Sequence, residues 1–211
     1  MTTLLPKEND NKVLIWSSAD VDAGGLAPEL TEVLAWARSY LVSPNPELGR
    51  NGPVCPYTRP SLNRGLFYLA SSLSPDVQEA VDSLRTWYTT LAAATPSPDR
   101  ELLTVLLVLP HLDPVDPTPL DDLQRAAKDD FVDNGLMIGQ FHPTCETSGL
   151  WNPEFMALRA PVPLLAIRKL VVYDLPFLME RRNHLESWLR QYAPEIPQRV
   201  RSQLAARVIP L

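Results

Sequence analysis

Side chains that can bind ligands or move protons are concentrated between positions 142 and 159. His142, Cys145 and Glu146 are followed there by Trp151 and Arg159. A neutral imidazole is a common ligand of metal ions and of heme iron. Because Pro143 follows it, His142 is restricted to an extended backbone, which would help to aim the ring. The same pattern is typical of a histidine that ends a strand and hydrogen-bonds a nearby carbonyl, so both interpretations stay open.

Cysteine chemistry has a second candidate, Cys55, which lies between Pro53 and Pro56. It can serve as a thiolate ligand or nucleophile, or simply as a small buried apolar side chain. His142 and Cys145 form a His-x-x-Cys pair, which lacks the third and fourth ligands of a structural zinc site.

Charged side chains flank these candidates. A guanidinium fork suits a carboxylate, either of a substrate or of a heme propionate, although surface ion pairs are an equally simple use. The four arginines in question are Arg59, Arg64, Arg159 and Arg168. Asp113, Asp116, Asp121 and Asp122 form an acidic loop and helix start, which fits the positive end of a helix dipole or a metal.

Several standard motifs are missing from the sequence. It has no Gly-x-Ser-x-Gly elbow, no Gly-x-Gly-x-x-Gly and no Walker-type loop, which removes the usual hydrolase, dinucleotide and nucleotide interpretations. A Ser-His-Asp triad stays open because triads are defined by geometry and not by order along the chain.

The candidate residues lie between two apolar runs of strand length. We predict strands near 66–70, 102–109, 135–140 and 163–168, and a weaker one at 13–16, because these runs are apolar and short. Helical spacing predicts helices over 26–42, from Ser74-Pro75-Asp76 to Ala94, from Pro119 to 134, over 173–192 and over 195–207.

This order indicates an α+β (α/β-like) fold in which one mixed sheet of four to five strands is flanked by helices. We predict a single domain over residues 1–211, with residues 1–12 as a disordered tail. The run 102–109 is expected to be a central strand buried on both faces. The last two long strands are expected to be antiparallel neighbours, with the His142 loop at one edge of the sheet.

Composition excludes some classes of function. The net charge of −6 argues against non-specific nucleic-acid binding. Two cysteines fit a reducing compartment, the N-terminus does not read as a secretory signal, and no run approaches the roughly 20 apolar residues of a membrane span. We therefore expect a cytoplasmic protein without membrane or nucleic-acid partners. The 22 prolines are typical of stiff connections between elements.

Three segments resemble a known family. GPVCPYTRPSLNRGLFYLA is similar to the Pro-Cys-x-Phe segment of the YqcI/YcgG-type proteins, and LLTVLLVL to their next apolar strand. MIGQFHPTCETSGLWNPEFMALRAPVPLLAIR looks like their Gly-x-His-Pro segment and final strand. The loop from Thr144 to Asn152 departs from that family's pattern, and the Phe-His-Pro and Arg-x-Pro-x-Pro signatures resemble an uncharacterised sister family more closely.

The resemblance implies a heme-dependent oxidoreductase that oxidises a nitrogen of a small amino-acid-like metabolite in specialised biosynthesis. Carried over by position, His142 becomes the axial ligand of heme b, and Cys55 a motif cysteine. Glu146, the carboxylate near His142 in sequence, can pair with a substrate amine or guanidine or simply be a solvated loop residue, and Arg64 can hold the substrate carboxylate. The other cofactor-binding positions are Arg159, Arg168, Cys55 and Trp151. The alternative is a non-catalytic small-molecule or heme-binding accessory protein on the same fold. A homodimer is compatible with either.

Overall fold

The central element of the structure is β3, Thr104–Val108, which is flanked by strands on both sides. The structure is a computed structural model that describes residues 13–72 and 76–209. Five strands form one mixed sheet in the order β1-β2-β3-β5-β4. The other four are β1 Val13–Ser17, β2 Phe67–Ser72, β4 Leu136–Phe141 and β5 Leu164–Lys169. The prediction of an α+β domain with one mixed sheet is confirmed.

Strand pairing places the ends of the long loop together. β3 pairs parallel to β2 and antiparallel to β5, and β4 pairs antiparallel to β5 with Phe141 opposite Leu164. The last two strands are therefore antiparallel neighbours, as predicted. The chain leaves the sheet after Phe141 and re-enters it at Leu164, so both ends of the intervening loop lie at one end of the sheet.

Helices cover both faces of the sheet. On one face, α4 (Val77–Ala94) and α5 (Thr118–Asp133) bury residues such as Leu84 and Phe131 against alternate strand positions. On the other face, α2 (Pro28–Trp36) continues into a single π-helical turn, Ala37–Leu41. The short helices α1 (Ser18–Asp22) and α3 (Thr58–Asn63) complete this second layer. The predicted helix start at Ser74-Pro75 lies outside the described residues, as does the predicted tail at 1–12, whereas Asp76 caps α4.

The prediction of one amphipathic helix over 173–192 is wrong. The segment divides into a 3-10 turn, Val172–Leu178, and α6, Arg182–Tyr192. Pro176 supplies no backbone N–H, and the Asp174 carboxylate accepts the N–H of Val171, which fixes a tight turn instead of an α-helix. The side chain of Phe177, within the turn, is 47% exposed. The last helix, α7, covers Gln198–Val208 and follows Pro197.

Docking of α6 on α5 depends on a buried histidine. His184 Nε2 lies 2.7 Å from the Oδ1 atom of Asp129, and Arg181 also donates to this carboxylate. The side chain of His184 is only 1% exposed, and its Nδ1 atom has no hydrogen-bond partner among the described residues. Burial lowers the pKa of His184 below its usual 6.5, and this effect outweighs the opposing hydrogen bond to Asp129.

Stability should fall as the solution is acidified through the usual range of histidine. The folded pKa of His184 is below the unfolded one, so the unfolded chain binds the proton first and stability is lost as pH falls. The slope for one proton is at most about 1.4 kcal/mol per pH unit. We expect H184Q, which keeps a donor toward Asp129 but does not titrate, to show a shallower loss in denaturant unfolding between about pH 7 and 5. The exposed His111 provides the control H111Q, which should retain the wild-type slope. Equal slopes for wild type and H184Q would contradict the assignment.

Truncation in the central strand should be costly. Leu107 is fully buried in β3, so L107A removes packed methyl groups and leaves a cavity. We expect a loss of about 2–5 kcal/mol in the free energy of unfolding, measured with denaturant. V115A, at a residue 77% exposed, should change it by less than about 0.5 kcal/mol. Similar losses for the two variants would show that β3 is not the centre of the core.

Candidate functional site

His142 follows the last residue of β4 and faces the α5 side of the sheet. Successive strand residues point to opposite faces, and Phe141 packs edge-on against Trp36 on the α2 side, with ring centroids 5.8 Å apart. The His142 ring, 2% exposed, instead places Nε2 at 3.3 Å from the Oδ1 atom of Asp121, in the first turn of α5. Its Nδ1 atom lies 3.2 Å from the Thr144 hydroxyl. His142 therefore links the end of β4 to the start of α5.

The His142–Asp121 contact is close but not aligned as a hydrogen bond. Within residues 13–72 and 76–209, neither the Nε2 atom nor the Oδ1 atom has a hydrogen-bond partner. Buried polar atoms without partners are uncommon and often mark a functional or strained position. The imidazole is buried while the Asp121 carboxylate is partly open to solvent, so the contact lies at the border of the buried layer.

The backbone of His142 closes the loop that follows it. Its carbonyl accepts hydrogen bonds from the N–H of Cys145 at 3.2 Å and from the N–H of Ala160 at 3.3 Å. The Nε atom of Arg159 donates to the Cys145 carbonyl at 3.2 Å, while the Cys145 side chain is buried. The first and last turns of the loop 143–160 are thus held together at a single residue.

The tip of this loop packs on the segment before α3. Asn152 Nδ2 donates to the carbonyl of Glu47 at 2.7 Å. Gly49, with φ of +76°, lies so close that a Cβ atom there would be 2.7 Å from the carbonyl oxygen of Trp151. The side chain of Trp151 is 63% exposed, so its backbone, and not its ring, makes this contact.

A groove of about 530 Å³ runs between α2 and the two ends of the loop. Its helical wall presents four residues at i, i+3, i+4 and i+7 spacing, which places them on one face. They are Glu32, Ala35, Trp36 and Ser39, and they face Pro143, Arg159, Ala160 and Pro161. The groove is therefore an aromatic and proline-lined surface that carries one acidic and one basic side chain.

An aromatic stack and one hydrogen bond join the helical wall of the groove to the loop. Trp36 stacks on Tyr40 with ring centroids 5.9 Å apart, and the Tyr40 hydroxyl donates to the Ala157 carbonyl at 3.3 Å. Burial raises the pKa of Tyr40, against the opposing effect of the positive charge of Arg159. Tyr40 is thus neutral at physiological pH and holds the π-helical turn to the far end of the loop.

Three of the predicted site residues lie elsewhere. Arg168 is at the opposite end of β5, with its guanidinium bonded to both oxygens of Asp174 at 2.8 and 2.5 Å and placed over the ring of Tyr57. Cys55 is half-buried, and its backbone N–H donates to the Leu41 carbonyl at 2.8 Å. Arg64 pairs with Asp99 near the start of β2. Glu146 and Trp151 are exposed in the loop, and only His142, Cys145 and Arg159 are joined by its closing hydrogen bonds.

The positions that the resemblance assigns to heme do not face one pocket in this conformation. His142 is on the α5 side, Arg159 is on the α2 side, and Arg168 is bound to Asp174 at the other end of the sheet. A porphyrin above Nε2 would occupy the space of the first turn of α5, because the ring of His142 is buried against it. Heme binding therefore stays a prediction.

Sequence reasoning missed the groove residues on α2 and the partner of His142. Glu32 and Ser39 carry no motif, and Trp36 lies in a segment for which the sequence predicts only a helix. Their i, i+3, i+4, i+7 spacing was a usable signal, since it runs beside the buried stripe of the same helix. Asp121 was recognised only as part of an acidic helix start.

Fold and site together define an α+β domain with a loop-closed surface groove. The chain belongs to the family described as "Domain of unknown function (DUF6875)", which matches residues 30–203. The match includes α2 from Leu30 onward, the His142 loop and all strands except β1. No curated protein and no solved structure matches the chain. Among the helices of the described residues, none combines the length and apolar character required to cross a membrane.

Substitution of Gly49 should displace the loop tip. G49A would bring a Cβ atom against the Trp151 backbone and impose a positive φ on alanine. The positive φ alone costs about 1–2 kcal/mol, so we expect a larger loss in the free energy of unfolding together with a changed tryptophan emission.

The matched control is G24A. Gly24 has a similar φ of +81°, but a Cβ atom there meets nothing within 4 Å. G24A should therefore lower the free energy of unfolding by the cost of the positive φ alone, without changing the tryptophan emission. If the two variants behave alike, Gly49 does not set the position of the Trp151 backbone.

Proposed function

We propose that this protein binds a small polar metabolite of amino-acid size in the groove between α2 and the 143–160 loop. The observation that carries the proposal is the groove itself, which sets the Trp36 ring beside Arg159 and Glu32. The groove is shallow and open to solvent, and its apolar and aromatic lining carries a few polar groups that can orient a ligand, as in small-molecule sites.

The architecture around the groove supports this proposal. Loops positioned by a rigid scaffold are where binding residues concentrate, and here the loop ends are fixed to His142 by two hydrogen bonds. The opposite wall includes the junction of α2 with the π-helical turn Ala37–Leu41. Single π-turns within helices occur frequently at functional sites.

A steric block tests the proposal. Ala35 is exposed and lines the groove, so A35W should fill it without disturbing the core. We expect a mixed panel of amino acids, amines and small carboxylic acids to shift the amide signals of residues 159–160 and the Trp36 indole signal in NMR spectra. In A35W these shifts should be lost or require at least tenfold more ligand.

The matched control is A93W, at an exposed alanine of α4 on the other side of the sheet. It should bind as the wild type does. A panel that shifts no groove signal in the wild type, or that binds A35W unchanged, would contradict the groove as the ligand site.

Heme-dependent N-oxidation is the finer function that the resemblance implies, and it stays a proposal of its own. In its support, the buried Nε2 atom of His142 has no hydrogen-bond partner among the described residues. It requires α5 to move away from this ring. When bound, heme would supply the oxidative chemistry and the protein the orientation of the substrate.

The direct test is a heme titration followed in the Soret region. The proposal predicts stoichiometric binding with a Soret position that changes in H142A. Since the ring is buried, the fold of H142A is checked by circular dichroism, and R168Q tests the second assigned contact. A Soret band identical in wild type and H142A would remove His142 as the ligand.

A further inference from the structure

Glu32 and Arg159 are opposite charges on the two walls of one groove. Among the described residues, the guanidinium of Arg159 makes one hydrogen bond, from Nε to the Cys145 carbonyl, and no ion pair. Glu32 has neither a hydrogen bond nor an ion pair in the same part of the chain. The outer nitrogens of Arg159 and the carboxylate of Glu32 are therefore available to a ligand.

Several other exposed arginines are paired with carboxylates, as Arg38 is with Asp22 and Arg85 is with Asp130. Glu32 and Arg159 belong to different elements, α2 and the end of the loop, so the fold holds them apart while both face the groove. A ligand that carries a cation and an anion at separate points can satisfy both groups at once.

We infer that the ligand of the groove is a zwitterion with a free ammonium group and a free carboxylate, the pattern of an α-amino acid. The inference rests on the proposed function, since it names the ligand class of that same groove. The carboxylate lies against the outer nitrogens of Arg159, where a guanidinium can donate two parallel hydrogen bonds. The ammonium group lies against Glu32.

The remaining lining indicates what the side chain of the ligand contacts. Trp36 offers an aromatic surface, and Pro143, Pro161 and Ala35 add apolar area beside it. A planar or apolar side chain removes this area from water, and an aromatic one adds ring stacking. L-phenylalanine is therefore a suitable probe, and its blocked forms remove one charge at a time.

The experiment measures the affinity of three ligands for four proteins by titration calorimetry or NMR. The ligands are L-phenylalanine, N-acetyl-L-phenylalanine, which lacks the ammonium group, and L-phenylalanine amide, which lacks the carboxylate. The proteins are the wild type, E32Q, R159Q and the control E29Q, which changes a glutamate of the same helix that does not line the groove.

For the wild type and E29Q, we expect each blocked ligand to bind about tenfold more weakly than phenylalanine, the change that 1.4 kcal/mol produces. E32Q lacks the carboxylate that the ammonium group contacts. In E32Q, N-acetyl-L-phenylalanine should therefore bind almost as tightly as phenylalanine does. In R159Q, L-phenylalanine amide should likewise bind almost as tightly as phenylalanine does. Such non-additivity identifies the contacting pairs.

Two results would overturn the inference. If blocking either end costs the same in the variants as in the wild type, Glu32 and Arg159 do not contact those groups. The ligand is not a zwitterion if all three ligands bind the wild type equally. The same conclusion follows if none of the three binds while another class from the metabolite panel shifts the groove signals. The groove proposal survives these results, because A35W tests it independently of ligand charge.

Arg159 also holds the loop through the Cys145 carbonyl, so R159Q needs a second variant beside it. R159K keeps the positive charge and loses the guanidinium fork. We expect R159K to retain part of the discrimination between phenylalanine and its amide, whereas R159Q loses it. If R159K and R159Q lose this discrimination equally while NMR shows an intact loop, the ligand carboxylate is bound by the guanidinium fork and not by the positive charge alone.

Discussion

The antiparallel pairing of β4 with β5 is the constraint on which the site depends. With Phe141 opposite Leu164, the two strands bring both ends of the 143–160 loop to one end of the sheet. The His142 carbonyl can then accept hydrogen bonds from both ends. β5 is itself held by its antiparallel pairing with β3, where Val108 lies opposite Leu164. The strand register thus fixes the position of the groove wall that the loop ends form.

The alternation of side chains along β4 divides the site between two faces. Phe141 supports Trp36 on the α2 face, and the next residue, His142, enters the layer under α5. A shift of one residue in the β4 register would exchange these two side chains. The register therefore decides both the floor of the groove and the burial of the imidazole.

Much of the fold was readable from the sequence because local signals agreed with one another. The run LLTVLLVL predicted a buried central strand, and β3 lies at its middle. The same reasoning failed at 173–192, where periodicity suggested one helix. There the proline at 176 and the Arg168–Asp174 pair impose a 3-10 turn, and a pair that joins a strand to a turn cannot be detected by helical spacing.

The site was harder to predict, because its contacts are set by tertiary structure. His142 was recognised by residue type, but its proximity to Asp121, 21 positions earlier, follows from the packing of α5 beside β4. Arg159 and Arg168 have the same residue type and looked equivalent in the sequence. The structure distinguishes them by their partners: Arg168 has a buried carboxylate, whereas Arg159 has one carbonyl.

That difference bears on the kind of chemistry each position can support. The Arg168–Asp174 pair is largely buried, and removing one partner would leave a charge without compensation, so the pair is suited to structure. Arg159 lies in an open groove and retains donors for a ligand. The two proposals for this protein also divide along the sheet: ligand binding on the α2 face depends on Arg159, whereas metal ligation by His142 depends on the α5 face. His142 cannot both contact a ligand in the groove and act on the α5 face, because Pro143 and the strand register direct its ring away from the groove.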